Sequence, residues 1–317
     1  MTRSGKEDTK MAPFDISPYR ELYPFKDRWW THRGLRYHYI DEGKGEPVLM
    51  VHGNPTWSFH FRELVKALMG DHRVVAMDHM GCGLSDRPDD DLYDFSLRSR
   101  VDDLEAFLDH LGLNRGVTLV AHDWGGVIGS AVAVRHPERF SRFVLMNTAA
   151  FRMPEGKRLP FSLYFVKYTP VLPTVLIRGF NAFSFIASHI GAQRKLPKDV
   201  RRAYTAPYNS WRNRLATLRF VQDIPLVPRD RSYPTLKELD EGLHRLRGKP
   251  MMIIWGEKDF IFDLEIREVW RKRFPEARFE SFPDAGHYVM EDARERIVEL
   301  AREFLGNGPE GRGGDAT

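Results

Sequence analysis

The chain has 317 residues, 42% of them hydrophobic and 12% aromatic, enough apolar material for the core of one large α/β domain or two small ones. No run reaches the roughly 18 consecutive apolar residues that a membrane span needs, and the polar first ten residues lack the apolar centre of a signal peptide. The formal net charge is +4, and the basic residues do not form a pattern typical of a nucleic-acid-binding module, so we expect no nucleic-acid partner.

Short apolar runs of the kind that form buried strands recur along the chain, with helical stretches between them. Such continuous runs are typical of strands that helices cover on both faces. Their alternation with helical stretches at 99–111 and 293–305 predicts an α/β fold with a mainly parallel sheet flanked by helices. The predicted strands are 47–51, 73–77, 117–121, 142–146, 251–255 and 278–282.

The alternation breaks between residues 151 and 247, where the sequence is helical in texture, aromatic and basic. We interpret 152–247 as a helical cap inserted after the predicted strand 142–146, which we count as the sixth strand of the fold, over the carboxyl ends of the strands where α/β sheets bind ligands. The core is then 27–151 together with 248–306. Residues 1–26 form an N-terminal arm, the first ten disordered, and 307–317 form a disordered tail.

The most specific motif is the segment 117–126, VTLVAHDWGG, with an apolar helical stretch directly after it. The order of strand, sharp turn and helix is that of a nucleophile elbow, whose strained turn needs small neighbours such as Ala121 and Gly125. Serine usually stands at its centre, but here Asp123 does. A carboxylate attacks an electrophilic carbon without first losing a proton. Asp123 is therefore the candidate nucleophile, against the alternative that it only caps the helix.

Two residues after later strands suit the other roles of a catalytic triad. His287 lies in a glycine-bearing loop after 278–282 and is the only histidine after His244, so it is the candidate base. Asp259 follows 251–255, where its carboxylate could orient the imidazole. Asn147 has an equivalent place after 142–146, but an amide cannot serve as the acid, which favours Asp259.

Two loops offer hydrogen-bond donors to a developing anion. Asn54, after the strand 47–51, and Trp124, directly after the nucleophile, can each offer a backbone N–H. Their side-chain amide and indole N–H groups add donors for a leaving group, although Trp124 could instead be an ordinary buried aromatic. The other His and Asp residues lack the spacing of metal ligands, so we expect no metal and no cofactor.

These motifs together resemble the α/β-hydrolase fold, and within it the haloalkane-dehalogenase-like branch. The resemblance rests on the segments 52–55 (HGNP), 81–86 (GCGLSD) and 122–126 (HDWGG) and on the Asp259 and His287 loops, which occur in family order. It implies that Asp123 is the nucleophile, His287 the base and Asp259 the acid. It also implies that Asn54 and Trp124 bind the leaving group.

The predicted cap carries a narrower resemblance, in the segments 147–151, 180–184, 201–211 and 213–226. These are similar to the cis-β-lactone decarboxylases of bacterial long-chain olefin biosynthesis, which convert a disubstituted β-lactone into a cis alkene and carbon dioxide. Because caps are where α/β-hydrolases differ in substrate, this resemblance bears on substrate choice. It implies an apolar substrate with long alkyl chains, and an assembly with a β-lactone synthetase and other pathway enzymes.

Three other functions stay open at this point. A haloalkane dehalogenase, which hydrolyses alkyl halides to alcohol and halide, could use the Asn54 and Trp124 pair; the cap holds only one tryptophan, Trp211, far from the cap's start. An epoxide hydrolase would need two cap tyrosines to protonate the epoxide oxygen. A non-catalytic ligand receptor would not need the complete triad. The tyrosines available to an epoxide hydrolase are Tyr164, Tyr168, Tyr204 and Tyr208.

The cap also has an unusual charge and composition. Residues 151–250 hold 19 Lys and Arg against 7 Asp and Glu, a net charge of +12, which leaves −8 for the rest. This contrast is typical of a face that docks an acidic partner or an anionic surface, and equally of basic residues scattered over solvated helices. Eight apolar residues of the cap predict the lining of a long apolar cavity, or alternatively only the packing of the cap against the core: Phe161, Leu163, Tyr164, Phe165, Val166, Phe180, Phe183 and Phe185. The single cysteine, Cys82, fits a reducing compartment, and we expect a cytoplasmic protein.

Overall fold

The computed structural model describes residues 14–169 and 171–306, so the disorder predicted for 1–10 and 307–317 lies outside the described residues. Its central element is an eight-stranded sheet in the order β1-β2-β4-β3-β5-β6-β7-β8. The strands from β3 to β8 are parallel, and β2 pairs antiparallel with both β1 and β4. The strands are β1 (Arg28–His32), β2 (Leu35–Glu42), β3 (Pro47–Val51), β4 (Arg73–Met77), β5 (Val117–His122), β6 (Phe140–Met146), β7 (Met251–Gly256) and β8 (Arg278–Phe282).

The predicted α/β fold with a mainly parallel, helix-flanked sheet is confirmed, and the six predicted strands are β3 to β8. The central strands β5 and β7 are buried along their whole length, which is why they read as continuous apolar runs. Successive side chains still point to opposite faces: Leu49 and Val51 join one hydrophobic core, and Val48 and Met50 join the other.

Helices cover both faces of this sheet. Side chains of α2, α3, α9 and α10 pack in the first core, and those of α1, α11 and α12 pack in the second. Outside the segment between β6 and β7, the helices are α1 (Arg62–Leu68), α2 (Leu97–His110), α3 (Trp124–Arg135), α10 (Leu264–Arg273), α11 (Val289–Asp292) and α12 (Arg294–Gly306). None of the helices in residues 14–169 and 171–306 is long and apolar enough to cross a membrane.

The segment between β6 and β7 is helical throughout its regular elements. These are α4 (Phe161–Tyr168), α5 (Leu172–Thr174), a π-helical turn (Val175–Gly179), α6 (Ala182–Ile190), α7 (Lys198–Thr205), α8 (Leu215–Gln222) and α9 (Tyr233–Gly242), together with three short 3-10 helices, Ala206–Tyr208, Arg212–Arg214 and Leu243–Leu246. The helix α9 packs against α3 of the core. The division into an arm (1–26), a core (27–151 with 248–306) and a cap (152–247) stays a prediction.

Candidate active site

The turn between β5 and α3 has the backbone geometry of a nucleophile elbow. Asp123 has φ 53° and ψ −128°, a region that side chains other than glycine rarely adopt. A Cβ atom on Gly125 would overlap the carbonyl oxygen of Val51, so only glycine lets α3 start this close to β3. The turn therefore holds the Asp123 side chain at the carboxyl ends of the central strands, as the sequence predicts.

The Asp123 carboxylate is buried and hydrogen-bonded to the backbone. The Asn54 N–H donates to its Oδ2 atom at 2.7 Å. Burial raises the pKa of Asp123 to about 6, even though the His287 charge and the backbone N–H groups of Asn54 and Trp124 act in the opposite direction. At pH 7.5 the carboxylate is still mainly ionised, and it lacks a full hydration shell, so it is available as a nucleophile.

His287 and Asp259 form a buried pair beside the elbow. The His287 Nδ1 atom lies 2.8 Å from Asp259 Oδ2, so the Asp259 carboxylate accepts a hydrogen bond from the Nδ1–H group and fixes the ring. Burial lowers the pKa of His287, but the Asp259 carboxylate and the Asp123 charge outweigh it, and the pKa lies above its usual value. The Nε2 atom is buried and has no hydrogen-bond partner within the described chain, which leaves it available to a ligand.

Asp259 is itself held on both oxygens. Its Oδ1 accepts the backbone N–H groups of Ile261 at 2.7 Å and Phe262 at 3.2 Å. Its Oδ2 accepts an N–H of the Asn147 side chain at 2.8 Å. The Asn147 amide also donates to the carbonyl of Gly256 and accepts its N–H, which ties the end of β6 to that of β7. Asn147, considered from sequence only as an alternative to the acid, therefore positions Asp259.

The two predicted leaving-group ligands, Asn54 and Trp124, both line the same cavity as Asp123. The Asn54 side chain donates to the carbonyl of Thr217 in α8 at 3.1 Å, which links the loop after β3 to the segment above it. The Trp124 ring packs against Phe220 of α8, with ring centroids 5.3 Å apart. One helix therefore supports both residues.

The cavity above Asp123 is apolar and has a volume of about 860 Å³, including its open mouth. Core residues such as Val127 and Phe262 form part of its wall, and Leu163 of α4 and Phe183 of α6 form another part. The sequence interpretation of this lining was partly wrong. Four side chains assigned to it point into solvent instead: Phe161, Tyr164, Phe180 and Phe185.

The cap tyrosines that an epoxide hydrolase would require are not part of this cavity. None of the four lines it in the described structure. Tyr204 donates to Glu291 and Tyr208 donates to the carbonyl of Thr56, both in buried sites, while Tyr164 and Tyr168 are exposed. The structure therefore disfavours epoxide opening with tyrosine acids.

Comparison with known proteins identifies the family. A model of the α/β hydrolase fold matches residues 46–293, most of the chain. The chain belongs to the α/β hydrolase family. The crystal structure of haloalkane dehalogenase DbeA from Bradyrhizobium elkani superimposes with a TM-score of 0.77 at 23% identity, covering 89% of this chain and 98% of that one, which supports the fold.

Two relatives of this α/β hydrolase are much more similar in sequence. The cis-3-alkyl-4-alkyloxetan-2-one decarboxylase of Shewanella oneidensis is 50% identical over 90% of this chain and 89% of its own length. The protein of the same name from Xanthomonas campestris is 44% identical over 87% of this chain and 94% of its own. Haloalkane dehalogenase 2 of Mycobacterium tuberculosis is 36% identical over 92% of this chain and 99% of its own length. The predicted likeness to decarboxylases and dehalogenases is confirmed.

This α/β hydrolase also has a buried polar chain behind His287 that sequence reasoning missed. His122 Nε2 donates to the backbone carbonyl of His287 at 2.8 Å, and its ring centroid lies 4.5 Å from that of His60, with the two ring planes tilted by 33°. His60 Nδ1 lies 2.9 Å from the Tyr204 hydroxyl, which donates to Glu291 at 2.6 Å. Glu291 is paired with the buried Arg62. Only His122, next to Asp123 in the motif, carried a signal in the sequence.

Proposed function

We propose that this chain is a decarboxylase of cis-3-alkyl-4-alkyloxetan-2-ones, four-membered β-lactones, and releases a cis alkene and carbon dioxide. The observation that carries the proposal is the 50% identity with a decarboxylase of this name, which extends over 90% of the chain and so includes the cap. An apolar cavity with one ionised carboxylate at its base suits a lactone with two alkyl chains.

The proposed reaction begins with attack by Asp123 on the ring carbon that bears the ring oxygen. The carbon–oxygen bond breaks with inversion, and the ring opens to an Asp123 ester with a free carboxylate on the neighbouring carbon. That carboxylate then leaves as carbon dioxide, and its bonding electrons form the alkene while Asp123 departs with its own pair. Inversion followed by anti elimination keeps both alkyl groups on one side, which gives the cis alkene.

The hydrogen bond at Asp123 favours this route over attack on the lactone carbonyl. Carbonyl attack builds an oxyanion that needs free backbone donors. In the structure the Asn54 N–H is already bonded to Asp123 Oδ2 at 2.7 Å, and the Trp124 N–H also supports the carboxylate. These donors orient the nucleophile: they hold one carboxylate oxygen of Asp123, and the other oxygen is free to attack the ring carbon.

The other site residues have proposed roles that follow from their positions. Asn54 and Trp124 would bind the carboxylate that ring opening releases, because both line the cavity beside Asp123. His287 has a pKa above its usual value and would act as a positioned cation, with Asp259 fixing its ring. No proton needs to be removed in the direct route.

Haloalkane dehalogenase is the second candidate. It is favoured by the 36% identity with haloalkane dehalogenase 2 and by the Asn54 and Trp124 pair at the cavity wall. In that reaction His287 would have to remove a proton from the water that hydrolyses the Asp123 ester. The decarboxylase is the better fit, because the identity with the decarboxylases is higher over a similar share of the chain.

The first test compares substrates. The purified chain should release alkene and carbon dioxide from a synthetic cis-β-lactone, and little or no bromide from 1,2-dibromoethane. Each CH₂ that the apolar wall buries contributes about 0.8 kcal/mol, so kcat/KM should rise up to about fourfold per added CH₂ until the cavity is full. Gas chromatography of the alkene across an alkyl series measures both points. Bromide release without alkene would make haloalkane dehalogenase the favoured function and would contradict the decarboxylase.

The second test is the pH profile. Only ionised Asp123 attacks, so kcat/KM for alkene formation should fall about tenfold per pH unit below a pKa of about 6. At high pH it should decline again as the His287 cation loses its proton. For any dehalogenation, kcat should fall as His287 becomes protonated, because hydrolysis of the Asp123 ester needs a neutral His287. Circular dichroism over the same range controls for unfolding. An alkene rate that persists unchanged to pH 4.5 would contradict the role of Asp123.

A cytoplasmic location and assembly with a β-lactone synthetase are finer proposals about the chain in its cell. The single cysteine supports the first, and the likeness of the cap to the decarboxylases of olefin biosynthesis supports the second.

A further inference from the structure

The outer face of the segment 161–190 presents large apolar side chains to solvent. Phe161 is 81% exposed, Phe180 74% and Val171 71%. The same helices also wall the cavity with Leu163 and Phe183, so α4 and α6 are apolar on both their inner and outer sides. A soluble-protein helix normally turns a polar face outward, and an exposed apolar face of this size marks an interaction site.

Within the segment that carries this face, the charges have a single sign. Residues 156–198 contain seven Lys and Arg and no Asp or Glu. Four of these basic residues are exposed next to the apolar helices: Arg158 before α4, and Arg194, Lys195 and Lys198 after α6. Aromatic and aliphatic side chains flanked by Lys and Arg are the composition of surfaces that insert into the headgroup region of anionic bilayers.

We propose that this outer cap face, from α4 to α6 with its four flanking basic residues, docks on the surface of an anionic lipid bilayer. Phe161, Val171 and Phe180 would enter the headgroup boundary, while the basic side chains pair with lipid phosphates. The exposed residues and the cavity residues share two helices, so docking would bring the cavity close to the lipid. A lactone with two long alkyl chains, in the proposed function, is a molecule that partitions into that lipid.

Other occupants fit the face less well. A second copy of the chain would bring two basic surfaces together, and like charges across an interface oppose association. An acidic protein would satisfy the charges. However, the exposed apolar residues are spread over α4, the 171–180 segment and α6, and a protein must match that shape, whereas a fluid bilayer adapts to it.

Vesicle flotation with the purified full chain tests the docking directly. The chain should bind vesicles of phosphatidylcholine with 30% phosphatidylglycerol, and bind pure phosphatidylcholine at least about tenfold more weakly. Phe161→Ser with Phe180→Ser should weaken binding at least tenfold. Arg158→Gln with Lys195→Gln should remove most of the preference for anionic vesicles. Met69→Ser is the control: Met69 is 39% exposed but lies between α1 and the start of β4, at the end of the sheet away from the cap, and its loss should change nothing.

A kinetic measurement separates docking from chemistry. Phe161 and Phe180 do not line the cavity, so their double variant should turn over a short, water-soluble cis-β-lactone at the parent rate. It should be at least several-fold slower on a long-chain lactone supplied in anionic vesicles. Vesicle binding without any alkene from either substrate would refute the proposed function and leave the docking standing.

Three results would overturn the docking itself. The first is equal binding of neutral and anionic vesicles by the parent chain and by its variants. The second is no binding to either kind of vesicle. The third is that the chain binds an acidic protein but no vesicle, and that the Phe161→Ser and Phe180→Ser exchanges abolish binding of that protein.

Discussion

Asp123→Asn is expected to abolish alkene formation, with kcat/KM falling on the order of 10⁴-fold or more, because the amide cannot attack the lactone. The exchange preserves shape, and asparagine tolerates the positive φ of the elbow better than most residues. Circular dichroism should therefore show an intact fold. A variant that retains even a tenth of the activity would exclude Asp123 as the nucleophile.

The same substitution should stabilise the chain at neutral pH. The pKa of Asp123 rises from 3.8 to about 6 on folding, so the folded state binds this proton more tightly than the unfolded state. The ionised carboxylate then lowers the free energy of unfolding above pH 6 by about 3 kcal/mol, and this cost disappears as the pH falls through 6 towards 3.8. The neutral amide removes the cost, so Tm should rise by a few degrees at pH 7.5 and by little at pH 4.

Asp223 provides a matched control for both effects. Burial also raises the pKa of its carboxyl to about 6, but Asp223 accepts hydrogen bonds from Leu97 N–H and the Ser232 hydroxyl and does not line the cavity. Asp223→Asn should give a similar pH-dependent change in stability and keep most of the activity. If both variants lost activity equally, the loss would reflect a general disturbance rather than the nucleophile.

The parallel part of the sheet could be predicted because burial on both faces leaves a simple pattern. The strands β1 and β2 could not. β1 lies at the edge of the sheet and only one of its five residues, Trp30, is buried, so it shows no buried apolar run. The pattern of β1 resembles a polar loop until its antiparallel partner is known. In the cap, the prediction that aromatic residues such as Phe161 line the cavity was wrong. The turn of α4 places Phe161 in solvent and Leu163 in the cavity wall.

The residues of the elbow and triad could be located from sequence because each follows a strand whose carboxyl end meets the same edge of the sheet. Asn147 has the same placement, yet its contact with Asp259 depends on the spacing of β6 and β7 and so appears only in three dimensions. Glu291 and Tyr204 lie 87 residues apart in sequence, and no local pattern connects them. Their link to His60, and through His60 to His122, is a property of the folded chain.

Turnover in oxygen-18 water is expected to leave the Asp123 carboxylate unlabelled while alkene accumulates. In direct expulsion, the oxygen that joins Asp123 to the substrate returns to Asp123 when carbon dioxide leaves, and water takes no part. In a hydrolytic reaction, water activated by His287 attacks the Asp123 ester, so solvent oxygen enters the carboxylate during repeated turnover. The two routes use the same residues and differ completely in this label.

Mass spectrometry of the peptide that contains Asp123 reads the label after many turnovers. Incubation without substrate controls for exchange, and any detectable turnover of 1,2-dibromoethane provides the positive control. His287→Gln adds a second distinction: a hydrolytic route would trap the alkyl ester on Asp123 as a mass increase, whereas direct expulsion would leave no persistent ester because no water has to be activated. Heavy oxygen accumulating in Asp123 in step with the alkene would refute direct expulsion and assign His287 the role of base.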